Sequence, residues 1–236
     1  MGSLSFKTRS YEKEILDDFE LQGNDLKRNL RELERINRFL GGYAPILKNL
    51  KVVLQEYSYE GPLKISDAGC GGGDMLRKLS DWSGSQNIEV QLTGLDGNPN
   101  VLALAREFAK AYPIQWQLVN VLSPLFSEHQ TDVLLFNLFM HHFSEEQIIH
   151  ILRNARGSSR YILINDLQRS PLAYRLFQIV SRIFNFSYVS KHDGKLSIRK
   201  SFTRADWEEI LKQAGIEDYS IRWQWAFRYS IFIRNL

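Results

Sequence analysis

Leu63-Lys64-Ile65-Ser66-Asp67-Ala68-Gly69-Cys70-Gly71-Gly72-Gly73-Asp74 decides how the rest of the 236-residue chain is read. A short apolar run enters a glycine-rich turn, and Met75-Leu76-Arg77-Lys78-Leu79 then has the spacing of a helix start. Glycines at 69, 71 and 73 permit a sharp turn and leave bare backbone for a ligand to lie against. The helix start aims free N–H groups at that place. The spacing is G-x-G-x-G, not the G-x-G-x-x-G that serves a pyrophosphate. Asp67 stands two positions before the first glycine and Asp74 follows the last. Carboxylates here repel the phosphates of a dinucleotide and attract a cationic ligand group.

Downstream of this turn, strands and helices alternate. Val90 to Asp96 reads as the second strand, Pro99 to Ala111 as a helix, Ile114 to Val119 as the third strand and Thr131 to Leu138 as the fourth. Glu145 to Asn154 is a helix and Arg160 to Asp166 the fifth strand. This alternation specifies an α/β fold, a parallel sheet with helices on both faces. The tail from Ser220 to Arg234 alternates apolar and polar residues with period two, which reads as one long strand or two. Before the turn, Glu12 to Phe19, Leu26 to Leu40 and Pro45 to Tyr57 carry helical spacing, with Gly41-Gly42 and Gly61-Pro62 as breaks. The expected division is an N-terminal helical extension or cap over 1–60 and a core over 61–236.

Composition narrows the class. Hydrophobic residues make up 44% and charged residues 24%, enough for a substantial core in a globular chain. The net charge of +3 is spread among paired acids and bases, with no clustered basic stripe, so no nucleic-acid partner is expected. Cys70 is the sole cysteine, which excludes an internal disulfide and fits a reducing, cytoplasmic setting. No apolar run is long enough to span a bilayer. No cluster of residues with zinc spacing is visible, and no metal is expected.

In open parallel sheets ligands sit at the carboxyl ends of the strands, and the strand ends carry polar residues. Asp96-Gly97 closes the second strand, where an acid can accept both hydroxyls of a ribose. The third ends at Asn120-Val121. The fourth ends Asn137-Leu138-Phe139-Met140-His141-His142. Together the residues D-A-G-C-G-G-G-D, Asp96 and Asn137 to His142 resemble the class I S-adenosylmethionine-dependent methyltransferases, in the ubiquinone-biosynthesis-like branch. Leu30-x-x-Leu33-x-x-Ile36-Asn37-Arg38-x-x-Gly41-Gly42 and His192-Asp193-Gly194-x-x-Ser197-Ile198-Arg199 resemble a bacterial small-molecule subgroup linked with polyketide and phenolic-lipid pathways.

The resemblance implies a Rossmann-like three-layer sandwich with a mostly parallel seven-stranded sheet and a final antiparallel strand. It implies S-adenosylmethionine as cofactor and S-adenosylhomocysteine as product. Asp67, Gly69, Cys70, Gly71, Gly73, Asp96, Gly97, Asn120, Val121, Asn137 and Leu138 are the expected cofactor-binding residues. Ammonium and sulfonium suit the carboxylate at 67, and Asn120 would meet adenine where an Asp is commoner.

The candidates for a base are His142, then His141, then His192, which a turn over Lys191–Lys195 could swing over the site; Asp166 is a weaker one. Adjacent histidines are expected to face opposite ways, leaving one in play. Their position before the helix start at Ser144 is expected to keep the imidazole neutral. Leu172 to Tyr188 is amphipathic and falls in a substrate-cap insertion at about 168–200. A greasy cap implies an apolar or aromatic small-molecule acceptor, or a peripheral membrane contact through 172–189.

The expected reaction is O-methylation of such an acceptor. C-methylation of a phenol or quinol precursor is the alternative, and a catalytically silent binding protein on the same fold is a further one. Asp67 and the glycine spacing oppose a nicotinamide-dependent reductase. The oligomeric state is not legible.

Overall fold

The computed structural model describes residues 5–56 and 61–235. The expected helix end at Tyr57 and the boundary at 60/61 therefore fall partly outside the described residues. Among the described residues one seven-stranded sheet runs in the order β3-β2-β1-β4-β5-β7-β6. The strands are β1 (Leu63–Ala68), β2 (Val90–Asp96), β3 (Ile114–Leu118), β4 (Thr131–Asn137), β5 (Ser159–Leu167), β6 (Tyr219–Gln224) and β7 (Arg228–Arg234). β1 to β5 pair in parallel, while β7 is antiparallel to both β5 and β6. This is the Rossmann-like three-layer sandwich expected from the sequence.

Alternating side chains divide the core between the two faces. Leu134, Phe136, Ile162, Ile164, Ile231 and Ile233 pack on one side with α5 (Glu145–Arg156) and α8 (Arg204–Gln213), where Trp207 is fully buried. Val133, Leu135, Tyr161, Leu163 and Phe232 face the other side. There they meet α2 (Ala44–Glu56), through Ile46, Leu50 and Val53, and α3 (Asp74–Ser85), through Met75, Leu76 and Leu79. Thus α2 is a layer on the sheet. α1 (Gly23–Phe39) packs through Leu26 and Leu30 on α4 (Pro99–Phe108), which follows β2. The chain leaves β1 towards β2 and β3, then returns to β4 on the opposite side. The crevice at that switch point is where such sheets hold ligands.

Two expected elements differ. Glu12 to Phe19 is not a helix but a three-residue 3-10 turn at Ile15–Asp17. The backbone N–H groups of Ile15 and Leu16 donate instead to the two carboxylate oxygens of Asp193, both at 2.9 Å. Lys191–Lys195 is not a turn; it lies inside α7 (Tyr188–Lys200), which Ser187 caps. Gly194 permits close packing there, because a Cβ on it would overlap the ring of Phe177 on α6 (Pro171–Ile183).

Candidate active site

The glycine turn is pinned to β2, with the N–H groups of Gly69 and Cys70 both donating to the Leu95 carbonyl at 2.8 and 3.1 Å. Gly69 has φ +70°, and a Cβ there would overlap the Phe139 ring. Gly71 has φ +53° with open space where a Cβ would stand. Its N–H donates to Asp96 Oδ2 at 3.1 Å, and Asn98 N–H donates to Oδ1 at 2.9 Å.

Asp67 is 2% exposed, and its Oδ1 has no hydrogen-bond partner among the described residues. Burial, and then the like charges of Asp74 and Asp96, push its carboxyl well above the usual range. Burial also raises Asp96, against the N–H groups of Asn98 and Gly71 that hold it down. Asp74 accepts hydrogen bonds from Asn37 Nδ2 and the Tyr43 hydroxyl, which ties α1 and the start of α2 to the turn. Cys70 is buried, and burial with Asp96 and Asp67 lifts its thiol far from thiolate formation, as expected of a packing residue.

A second cluster lies at the far end of β4. Leu138 takes φ +56°, an uncommon conformation for a bulky residue, and turns the chain into the 3-10 turn Met140–His142. That tight turn brings both rings to one side, with centroids 4.4 Å apart, contrary to the expectation that they diverge. Asp166 at the end of β5 holds His141 twice. It accepts from the backbone N–H at 3.0 Å and lies 2.6 Å from Nδ1. Burial opposes the Asp166 charge, yet His141 and the N–H of Leu167 keep its carboxyl below the ordinary value. His141 Nε2 points towards Glu14 Oε1, 3.9 Å away.

His142 Nδ1 is 2.7 Å from Asp17 Oδ1. Burial works against its charge, but Glu14 and Asp17 outweigh it and raise its pKa above 6.5. For His142 the acids of the N-terminal segment thus favour the charged form, against the helix-start effect that led to the expectation of a neutral ring. Lys200 lies 3.4 Å from Glu14 and 3.2 Å from Asp17. Arg9 donates to the carbonyls of Lys200 and Phe143 and pairs with Glu145.

A cavity of about 960 Å³ joins the two clusters. Every sequence-predicted residue lines it except Gly73, His192 and Asp166, the last lying behind His141. Gly73 instead caps α3 in the left-handed region. His192 is carried outside the cavity lining on α7, held to Asp193 at 2.9 Å and stacked on Tyr188, so it cannot swing over the site as a turn would. Asn120 Oδ1 accepts from Leu122 N–H, and Asn137 Oδ1 accepts from Asn165 Nδ2.

Sequence reasoning did not find Arg9, Glu14, Asp17, Lys200 or Arg228. None sits in a local pattern, and each reaches the cavity through tertiary packing. Arg228 is buried and donates to the carbonyls of Leu40 and Trp225. Burial lowers its guanidinium to about 10, against the pull of Asp166.

Three buried or partly buried acids around the glycine turn have no ion pair among the described residues. A ligand with a cationic group and a diol fits this environment; a pyrophosphate does not.

Residues 65–160 match the family described as a methyltransferase domain. Among solved structures, the plantazolicin methyltransferase BpumL in complex with SAH is 16% identical with a TM-score of 0.62, over 90% of this chain and 96% of that one. Human N-acetylserotonin methyltransferase in complex with SAM is 17% identical with a TM-score of 0.58, over 96% of this chain and 62% of that one. The citrinin polyketide synthase CMeT domain is 17% identical with a TM-score of 0.59, over 79% of this chain. The match spans 50% of the length of that CMeT structure. At these identities the likeness is one of fold. The fold is that of class I methyltransferases, and residues 65–160 match the methyltransferase-domain family. Two of these structures that share the fold hold SAH or SAM.

Proposed function

We propose that the protein methylates a hydroxyl of a small apolar or aromatic acceptor, with His141 as the base. The carrying observation is the His141–Asp166 pair. Nδ1–H donated to Asp166 at 2.6 Å fixes the tautomer that leaves Nε2 free to take a proton within the cavity. His142, held as an imidazolium beside Asp17, is the poorer acceptor and suits the charge of a nascent oxyanion.

S-adenosylmethionine, when bound, supplies an electrophilic methyl on its sulfonium. In this reading Asp67 holds the cofactor's ammonium and Asp96 its ribose hydroxyls. The Gly69–Gly71 backbone, Gly97, Asn137 and Leu138 line its path, with Asn120 and Val121 on the adenine side. The protein's main contribution is alignment of donor and acceptor. Residues 5–43 and about 168–200 act together as the cap, while α2 belongs to the sheet's own layer. The apolar walls Leu33, Ile36, Phe177 and Val180 favour an apolar or aromatic acceptor.

The test is a panel of phenols and hydroxylated lipids with S-adenosylmethionine, read by mass spectrometry and by NMR of the methyl position. His141→Ala is expected to cut kcat by about 10²–10⁴-fold while S-adenosylhomocysteine affinity stays within about threefold. An unchanged rate would remove His141 from the chemistry, and a methyl found only on carbon would replace O-methylation by the C-methylation alternative.

A further inference from the structure

α6 has two apolar faces. Its inner face, with Ala173, Phe177 and Val180, lines the cavity. Its outer face carries Leu172, Ile179 and Ile183, spaced i, i+7 and i+11 on one stripe and 55%, 53% and 73% exposed, with Leu176 at the rim, lining the cavity while 42% exposed. The exposed aromatic Phe184 packs its ring against exposed Phe39 at the end of α1, 5.5 Å between centroids. α1 repeats the arrangement, with Leu33, Ile36 and Leu40 on the cavity and Phe39 outside.

Charge says what covers this face. From Leu167 to His192 the chain has no Asp or Glu. Arg175 and Arg182 flank the stripe, and both are exposed. Exposed Arg35 and Arg38 stand beside Phe39 on α1. The acids of α1 nearest this edge, Glu32 and Glu34, are occupied by Ser187 with Arg28 and by Arg77.

We infer that the outer face of α6, with Phe39 and Phe184, docks on an anionic phospholipid bilayer. An apolar stripe rimmed by arginines and free of acids lies in the membrane interface, side chains among the acyl chains and guanidinium groups at the phosphates. A water-exposed stripe of this kind is otherwise unpartnered apolar surface. The consequence rests on the proposed acceptor: one helix thickness, about 10 Å, separates the lipid from the cavity. A membrane-dissolved acceptor therefore reaches the site without crossing water.

The test is co-sedimentation of the full chain with phosphatidylcholine vesicles, with and without about one third phosphatidylglycerol. The wild type is expected to partition to the anionic vesicles and to be released by about 1 M salt in part. Leu172→Ser/Ile179→Ser/Ile183→Ser is expected to bind them about tenfold or more weakly. Arg175→Gln/Arg182→Gln is expected to lose the preference for phosphatidylglycerol.

Unchanged melting and S-adenosylhomocysteine affinity show that either variant is folded, and the second keeps the test decisive if the first is not. Absence of wild-type binding to anionic vesicles overturns the inference. So does a dimer in sedimentation equilibrium that the serine variant dissociates, which would make the face a contact between copies. Turnover of a water-soluble phenol is read in parallel. Its absence beside intact vesicle binding sinks the acceptor reading alone, and lost vesicle binding beside intact turnover sinks the docking surface alone.

Discussion

The two ends of the cavity are built on opposite electrostatic plans. At the glycine turn, Asp67, Asp74 and Asp96 crowd together and no ion pair relieves them among the described residues. At the histidine end, Asp17, Glu14 and Asp166 are each matched by His142, Lys200 or His141. The first region carries charge that a cationic ligand would balance, and the second is paired largely within itself. Under the proposed reading, the first keeps its charge for the cofactor and the second spends its charges on fixing tautomer and orientation.

Gly69 joins the two regions, because Phe139, the residue before the histidine turn, lies over it. Gly69→Ala is expected to have the largest effect on stability. It adds a left-handed strain and an overlap with the ring, together about 2–4 kcal/mol. The melting temperature should fall by roughly 5–10 °C, with loss of S-adenosylhomocysteine binding in calorimetry. A variant that melts as the wild type does would break the link between the two ends.

The pH dependence separates them further: in the acid range Asp17 has the opposite sign to Asp67 and Asp96, and His142 acts in a higher range. Asp67 and Asp96 are raised from 3.8, so burying them costs stability as pH rises past 3.8 towards their folded values. His142 is raised from 6.5, so its contribution is full below 6.5 and is lost as pH rises through its folded value. Asp17 is lowered from 3.8, and its contribution is present above that and lost as pH falls through its folded value. The Asp17–His142 pair is therefore fully formed between about 4 and 6.5. Asp17→Asn is expected to lower the melting temperature by about 2–4 °C near pH 5–6, and by less above neutrality. A deficit that stays constant across pH, measured by scanning calorimetry, would mean that the pair is not an ion pair.

The same contrast explains what the sequence disclosed. Asp67, the glycines and Asp96 sit within thirty positions, on a strand, a turn and a strand end, so local pattern finds them. β2 is legible to the residue, since Val90–Asp96 is bounded by polar turns. The histidine end is assembled from residues 9–17, 137–142, 166 and 193–200, which no local rule connects. Helical spacing at 12–19 gave way because Asp193, nearly 180 positions distant, captures the Ile15 and Leu16 N–H groups. Asp193-Gly194 reads as a turn in isolation. Within the fold, the carboxylate serves the N-terminal segment and the glycine admits Phe177, so the helix runs through both. The histidine pair was visible, but its 3-10 geometry and its acid partners were not.

The most direct test is calorimetric titration with S-adenosylhomocysteine of the wild type and of Asp67→Asn, each also melted without ligand. If the unpaired carboxylate exists for the cofactor's ammonium, the wild type binds and the variant binds about 10–100-fold more weakly. The unliganded variant should also melt higher, because a buried, unneutralised acid is gone. Equal affinity, or an unliganded variant that melts lower, would contradict the assignment of Asp67 as the cofactor's counter-charge.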